Sequence, residues 1–502
     1  MDGQNRLAPL VSSWTARLLA FSQRHRKLMQ LSAWALLIGL LATVLWLRAY
    51  DLRSDPPRGV SQSAGFFFDG FANSHAARSY VEFGELRPDE WDPYIYSPVH
   101  VALQVPWFML FGSSVRATNS FGTAFSLLAV GLLVLLWRRV HREKAWLALL
   151  FLGCSYPLVQ CGRLCLFENV MVVCMVLSLL FLQGALERTG LFLLAGVFAF
   201  LAYVTKAIGA YFVVAAAVAV AFHCLQPNRG KWISLKRWMP CLLFAGGAAC
   251  VMVLWIFLFR LPNQEAIDHF GAKWMSLNMP NSLYEALLGV GKTPAFFIYG
   301  VADKMWIFSV GVVVWVLYDA LRKPESLAPS TLAVALWFAG GTVAVSMLRT
   351  GPTRYFYPMM YPMMYLCAYG IYRLLTVAQI QWPKRPAWAD VAVVCALVII
   401  IRFYVTYQVS VEPLMPSTWP RVWSKLAVSA GLAVVCWTAL RFVTIKWSGK
   451  SYRVSPVWRW VFVCIVLAYF ARNQFVRTRD WYSTRTHSIY WVSQQLSEIE
   501  PM

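Results

Sequence analysis

Asp69 follows three phenylalanines, Phe66-Phe67-Phe68, in a chain that otherwise keeps its carboxylates sparse. An apolar lead-in of that kind suits a carboxyl ready to hold a proton, and so a group that takes a proton from an attacking hydroxyl. Glu82, Glu85, Asp89, Glu90 and Asp92 lie in the same stretch, Gly65 to Gly112. An ionisable cluster where a very apolar chain meets water points to a functional site. The bland alternative is a solvated loop whose acids only mark an aqueous face.

Cations stand at comparable places further on. Arg163 and Glu168 flank an apolar patch in Gly162-Arg163-Leu164-Cys165-Leu166-Phe167-Glu168-Asn169; a snorkelling Arg and an interfacial Glu would also account for them. Lys206 is an isolated cation in an apolar stretch, where a Lys costs about 2.5–3.5 kcal/mol at mid-helix and less near an interface. Arg349 and Arg354 sit in a break between two apolar runs. These cations share one physical use. A polyprenyl phosphate or diphosphate in the bilayer would present its anion near this depth, where Arg meets it as a fork and Lys as a point charge.

Aromatic residues nearby (Trp274, Tyr284, Tyr355, Phe356, Tyr357) can stack on a sugar or line a lipid groove. Asp268, His269 and Lys273 are candidates for binding an acceptor, with plain solvation as the alternative. His75, His100 and His269 lack convincing metal-ligand spacing, so no cofactor is certain and a divalent cation stays an open option.

The elements that must position these residues are membrane spans. The chain has 502 residues, 59% hydrophobic and 14% charged, which places it among polytopic membrane proteins of all-α class. A net charge of +22 invites a nucleic-acid partner. The cations, however, sit in short clusters between apolar runs, such as Arg24–Lys27 and Arg138–Arg142, and not on one soluble basic face. The 11 Cys include no CxxC, and no disulfide framework is read from them. No cleavage motif follows Leu31–Leu47, so that run is expected to be kept as an anchor.

Apolar runs of spanning length, about 17–25 residues, lie near 31–50, 119–137, 145–160, 170–186, 190–205, 207–225, 240–259, 302–321, 330–348, 355–376, 389–409, 423–443 and 456–471. They predict a bundle of about thirteen transmembrane helices. Residues 98–112 are apolar but short and hold Pro106, so they predict a helix along the interface. Keeping them out of the membrane puts every basic loop on the N-terminal side, which the positive-inside rule requires. The expected layout is a cytoplasmic basic N-terminus (1–30), a transmembrane catalytic module (31–376), C-terminal spans (377–471) and an outer tail (472–502). The module's first outer loop is 51–118 and its second is 260–301. The tail's Ser488–Ile499 has the pattern of a short amphipathic helix.

The order of parts is recognisable. A lone Asp69 opens the first outer loop, followed by Ala72-Asn73-Ser74-His75, then Tyr96-Ser97-Pro98, Gly162-Arg163 through Asn169, Thr205-Lys206-Ala207 and Arg354-Tyr355-Phe356-Tyr357-Pro358. Over about residues 31–376 the chain resembles the GT-C glycosyltransferases, in the branch holding protein O-mannosyltransferases and the lipid A aminoarabinose transferase. The resemblance implies a GT-C-like bundle with juxtamembrane helices in the first outer loop. It also implies transfer of a sugar from a polyprenyl-phosphate donor to a lipid, glycan or protein acceptor at the outer face of the cell's inner or plasma membrane. Asp69 then matches the catalytic Asp of an Asp-Glu pair, Arg163 the Arg of an Arg…Asp motif in the second outer loop, and Lys206 the Lys of a Thr-Lys-Gly. Arg354-Tyr355 matches an Arg-Tyr before Pro near the carrier phosphate, with Arg349 as a neighbouring cation. Tyr96 matches the aromatic-x-Pro stretch and Glu168 an Asp. Gly70 stands where many members have Glu, and Ser97 where one branch has Lys; the resemblance then leaves Asp89, Glu90 or Asp92 to substitute for the missing acid. A transporter or flippase for a lipid-linked or anionic substrate is the competing class. Paired repeats with broken helices at mid-membrane would mark it, and none is evident.

Overall fold

In a computed structural model the described residues are 26–50, 52, 68–86, 93–226, 234–283, 285–286, 289, 305–322, 324–348, 353–376, 379–381, 451–453 and 463–476. Residues 1–47 form one compact unit and 48–502 a second. Helix α1 (Arg26–Ala49) fills the described part of the first unit, and only its last two residues belong to the second.

The second unit is a helical bundle. Its described helices are α2 (Phe68–Phe83), α3 (Pro93–Tyr96), α4 (Pro98–Phe111), α5 (Val115–His141), α6 (Ala145–Cys154), α7 (Tyr156–Gly162) and α8 (Phe167–Gly184). There follow α9 (Leu191–Thr205), α10 (Ala210–Leu225), α11 (Leu235–Trp255), α12 (Gln264–Asn278), α13 (Trp306–Arg322), α14 (Pro329–Ser346), α15 (Tyr357–Thr376) and α16 (Val463–Val476). One short ladder pairs β1 (Gln379–Gln381) antiparallel with β2 (Ser451–Arg453).

Among the described residues, five helices are long and apolar enough to cross a membrane, and six if the bent pair α6–α7 counts as one span. The all-α polytopic class therefore stands. The expected runs at 389–409 and 423–443, and the tail helix at 488–499, lie outside the described residues. Where a span was expected at 145–160, the chain bends by 61° between Cys154 and Tyr156. Pro157 is the local reason: it has no N–H to give the carbonyl of Gly153 four residues back. The fully buried Arg48 takes that place, donating to the carbonyls of Gly153 and Leu152. Helix α4 has 14 residues, about 21 Å of helix, against a hydrocarbon core of about 30 Å. Pro98 starts it at a position where a missing N–H costs nothing.

Close packing of spans relies on small residues, since lipid offers helices no hydrophobic reason to associate. A Cβ on Gly196 would strike the Phe244 carbonyl and one on Gly247 the Leu193 carbonyl, so α9 and α11 touch backbone to backbone. Helix α15 carries a different device. Its sequence Tyr357-Pro-Met-Met-Tyr361-Pro-Met-Met-Tyr365 repeats every four residues, and these tyrosines are buried. Tyr357 meets Tyr361 at 2.7 Å and Ser126 meets Tyr361 at 3.1 Å. Tyr365 packs on Trp137, and Arg373 at the far end pairs with Asp319 of α13 at 2.8 Å.

Candidate active site

The site is built on the turn between α7 and α8, residues 163–166. Two glycines seat it on α5: a Cβ on Gly122 would collide with the Leu164 carbonyl, and one on Gly162 with Ser126. Asn169 closes the turn from within, its Nδ2 donating to Leu164 O at 2.8 Å. Its Oδ1 accepts from the Tyr357 hydroxyl at 2.6 Å. The start of the first long loop is fastened to the same place, since Arg163 Nη1 donates to Tyr50 O at 2.6 Å and Asn119 Nδ2 to Leu52 O at 2.8 Å.

Glu168 lies in the first turn of α8, and Lys206 follows the last residue of α9. An acid at a helix N-terminus and a base at a C-terminus both suit the helix dipoles, and these two ends meet in the antiparallel pair. Lys206 and Glu168 form an ion pair in which the carboxylate side chain is 1% exposed and the ammonium side chain 18%. The ammonium also sits 4.7 Å from the ring centre of Tyr355 and 5.8 Å from that of Phe167, a placement that ring quadrupoles favour. Lys206 itself is extended (φ −158°, ψ 125°), where α9 gives way to a short 3₁₀ turn.

Helix α2 brings in the remaining element. Asp69 is its second residue and Asn73 stands four residues later in the same helix. Asn73 Nδ2 donates to Cys165 O at 3.0 Å. Beneath it, Gln104 Nε2 of α4 reaches both Ser74 Oγ at 2.8 Å and Cys165 Sγ at 3.0 Å. His100 lies 3.5 Å from the same sulfur and edge-on to Phe121 and Phe167. Burial, and then the charge of Lys206, holds His100 down to about 3, so it stays neutral. Burial pushes the Cys165 thiol up to about 12, which leaves it a packing and hydrogen-bonding group and no nucleophile.

Tyr96, half-buried at the end of α3, packs on Phe270 of α12 with ring centres 5.6 Å apart. Burial, then the neighbouring Tyr355, raises its phenol above the usual value. Exposed Asp268 and His269 belong to that same α12. The structure thus gathers Arg163, Glu168, Lys206, Tyr355 and Tyr96, and brings the helix of Asp69 against the same turn. Arg354 lies in the 3₁₀ turn Thr353–Phe356 that carries Tyr355. Arg349, Asp89 and Asp92 lie outside the described residues. Among the described residues no group of three His, Cys, Asp or Glu is arranged to hold a metal.

Asn73, Gln104, His100 and Asn169 were not singled out for this role by the sequence. The available signal was position: Asn73 stands four residues after Asp69, and Ser97, His100 and Gln104 are polar interruptions at helical spacing in an apolar segment.

Residues 96–257 match the family model described as dolichyl-phosphate-mannose-protein mannosyltransferase. Among solved structures the chain is similar to ArnT from Cupriavidus metallidurans in the apo state, at 14% identity and a TM-score of 0.51, covering 89% of this chain and 76% of that one. The same protein bound to undecaprenyl phosphate gives 16% identity, a TM-score of 0.51 and the same coverage. No curated protein matches the sequence. The chain is therefore an all-α integral-membrane protein with an ArnT-like fold. The family match falls on the segment that carries Tyr96, Arg163, Glu168 and Lys206.

Proposed function

We propose that this protein moves a sugar from a polyprenyl-phosphate donor to a lipid, glycan or protein acceptor at the outer face of a cell membrane, with its N-terminus in the cytoplasm. The observation that carries this reading is the single turn, 163–166, on which the Lys206–Glu168–Tyr355 group and the helix of Asp69 converge. The undecaprenyl phosphate bound by the structurally similar ArnT supports the donor class, and the family match supports a lipid-phosphate-linked sugar.

A sugar leaving from a lipid phosphate already has a good leaving group, so the chemistry chiefly needs a base on the acceptor. In this reading Asp69 takes the acceptor hydroxyl's proton while Lys206, Arg354 and Arg349 hold the phosphate and Arg163, buried against Tyr50 O, adds its charge to the phosphate site from behind. Asp89 and Asp92 are reserve carboxylates, Asp268 and His269 receive the acceptor, and Tyr96 and Tyr355 line the sugar or lipid groove. Hexosyl or pentosyl transfer fits equally, and a divalent cation is an option that the residue set leaves open.

The test is Asp69→Asn in the full-length protein, assayed by single turnover with a synthetic polyprenyl-phosphate sugar. General-base catalysis contributes about 10²–10⁴-fold, so transfer should fall by that much or more while donor binding holds. Near-normal transfer in the variant overturns the assignment of Asp69. Flipping of the lipid in vesicles that persists without any transfer would favour a transporter.

A further inference from the structure

We propose that Glu168 is the counter-charge that Lys206 gives up to the donor phosphate as the sugar leaves, and that its sealed carboxylate then helps expel the lipid phosphate product. This rests on the donor class proposed above. The pair is asymmetric: the Glu168 side chain is 1% exposed, whereas the Lys206 side chain is 18% exposed. A ligand can therefore reach the ammonium and not the carboxylate. The Tyr355 ring fixes the ammonium at 4.7 Å without changing its charge. An ammonium has three N–H donors, enough to hold Glu168 and a phosphate oxygen together. Arg163, at 3% exposure, has one guanidinium nitrogen on Tyr50 O.

The charge changes during transfer. The acceptor O–H bond breaks and its proton goes to Asp69. The acceptor oxygen bonds the anomeric carbon, whose bond to the phosphate oxygen breaks with the electron pair passing to phosphate. The donor is a diester with one negative charge. The product is a monoester with up to two, its second pKa near about 6. A neutral Lys206–Glu168 pair offers the singly charged donor little net attraction. As the phosphate gains charge it competes for Lys206, and Glu168 is left facing a dianion. Its charge is buried and so weakly screened, and it opposes retention of the product. A lone lysine would instead hold the product most tightly of all.

The test measures binding of two probes to the full-length protein in nanodiscs: polyprenyl phosphate, and its methyl diester, which carries one charge and no sugar. Glu168→Gln should bind the monoester about tenfold tighter or more and the diester with a much smaller gain. The variant should also show a product burst followed by slow turnover. Glu168→Asp, which restores the charge, should return monoester affinity toward that of the parent. Unchanged monoester affinity in Glu168→Gln, or equal gains for both probes, overturns the proposal while leaving the donor class intact. Should the variant fail to accumulate, the parent protein decides. Its affinity for the monoester should change less than about threefold between pH 5.5 and 7.5, across the phosphate's own titration near pH 6, and a tenfold preference for the dianion would overturn the proposal. Binding of neither probe by the parent overturns the donor class, and this inference with it.

Discussion

The side-chain amide of Asn73 donates to the backbone carbonyl of Cys165 at 3.0 Å, joining the helix that begins with Asp69 to the turn that carries Arg163 and leads into Glu168. Two elements far apart in sequence are thus joined directly near the proposed chemistry, with Gln104 bridging them a second time through Ser74 and the Cys165 sulfur. Asn73→Ala removes the direct bond. A neutral hydrogen bond contributes about 0.5–1.5 kcal/mol to stability, so the unfolding midpoint in detergent should move little. Misplacing a reacting group by about 1 Å can cost about a hundredfold in rate, so single-turnover transfer should fall at least tenfold. Equal small losses in both measurements would mean that Asn73 serves folding alone.

Gly122 offers a test from the opposite side of the same turn. A Cβ there meets the Leu164 carbonyl, and overpacking of this kind costs about 1–3 kcal/mol. Gly122→Val should lower the unfolding midpoint and displace the 163–166 turn. The distance between spin labels carried by Arg78→Cys on α2 and Leu164→Cys in the turn should lengthen in the variant, and an unchanged distance would show that α5 gives way instead.

His100 predicts a pH dependence. Its folded value is depressed from 6.5 to about 3, so between those values the unfolded chain binds a proton that the folded chain refuses. Stability is then fully present above the unfolded value and is lost as pH falls toward about 3. His100→Phe, which keeps an aromatic ring between Phe121 and Phe167, should flatten the acid limb of the unfolding midpoint measured from pH 7 to 4. A parent-like acid limb in that variant would assign the sensitivity to other groups.

The charged part of this site was legible in the sequence for a physical reason. Lys206 and Glu168 are costly in an apolar chain, and cost makes an isolated charge conspicuous. Their pairing was not legible, because it depends on the end of α9 meeting the start of α8, a matter of packing across 38 residues. Asn73 and Gln104 were harder still: a neutral amide costs an apolar segment far less than a charge, so its position is the one signal it leaves. The bend at Ser155 was announced by Pro157, yet the apolar run from Ala145 to Cys154 leads straight up to it and masks it. The β1–β2 ladder is three residues a side, too short to leave a periodicity.

The four-residue repeat in α15 has one more consequence. Moving that helix along its axis by four residues, about 6 Å, brings Tyr361 to the level of Tyr357 and Pro362 to that of Pro358. Its middle is nearly interchangeable with itself. What distinguishes one setting from the next lies at the two ends, where Tyr357 meets Asn169 at 2.6 Å and Arg373 meets Asp319 at 2.8 Å. These contacts act as index pins on a ruler with identical marks, and the pin at Asn169 is the one that also sets the depth at which Tyr355 faces Lys206.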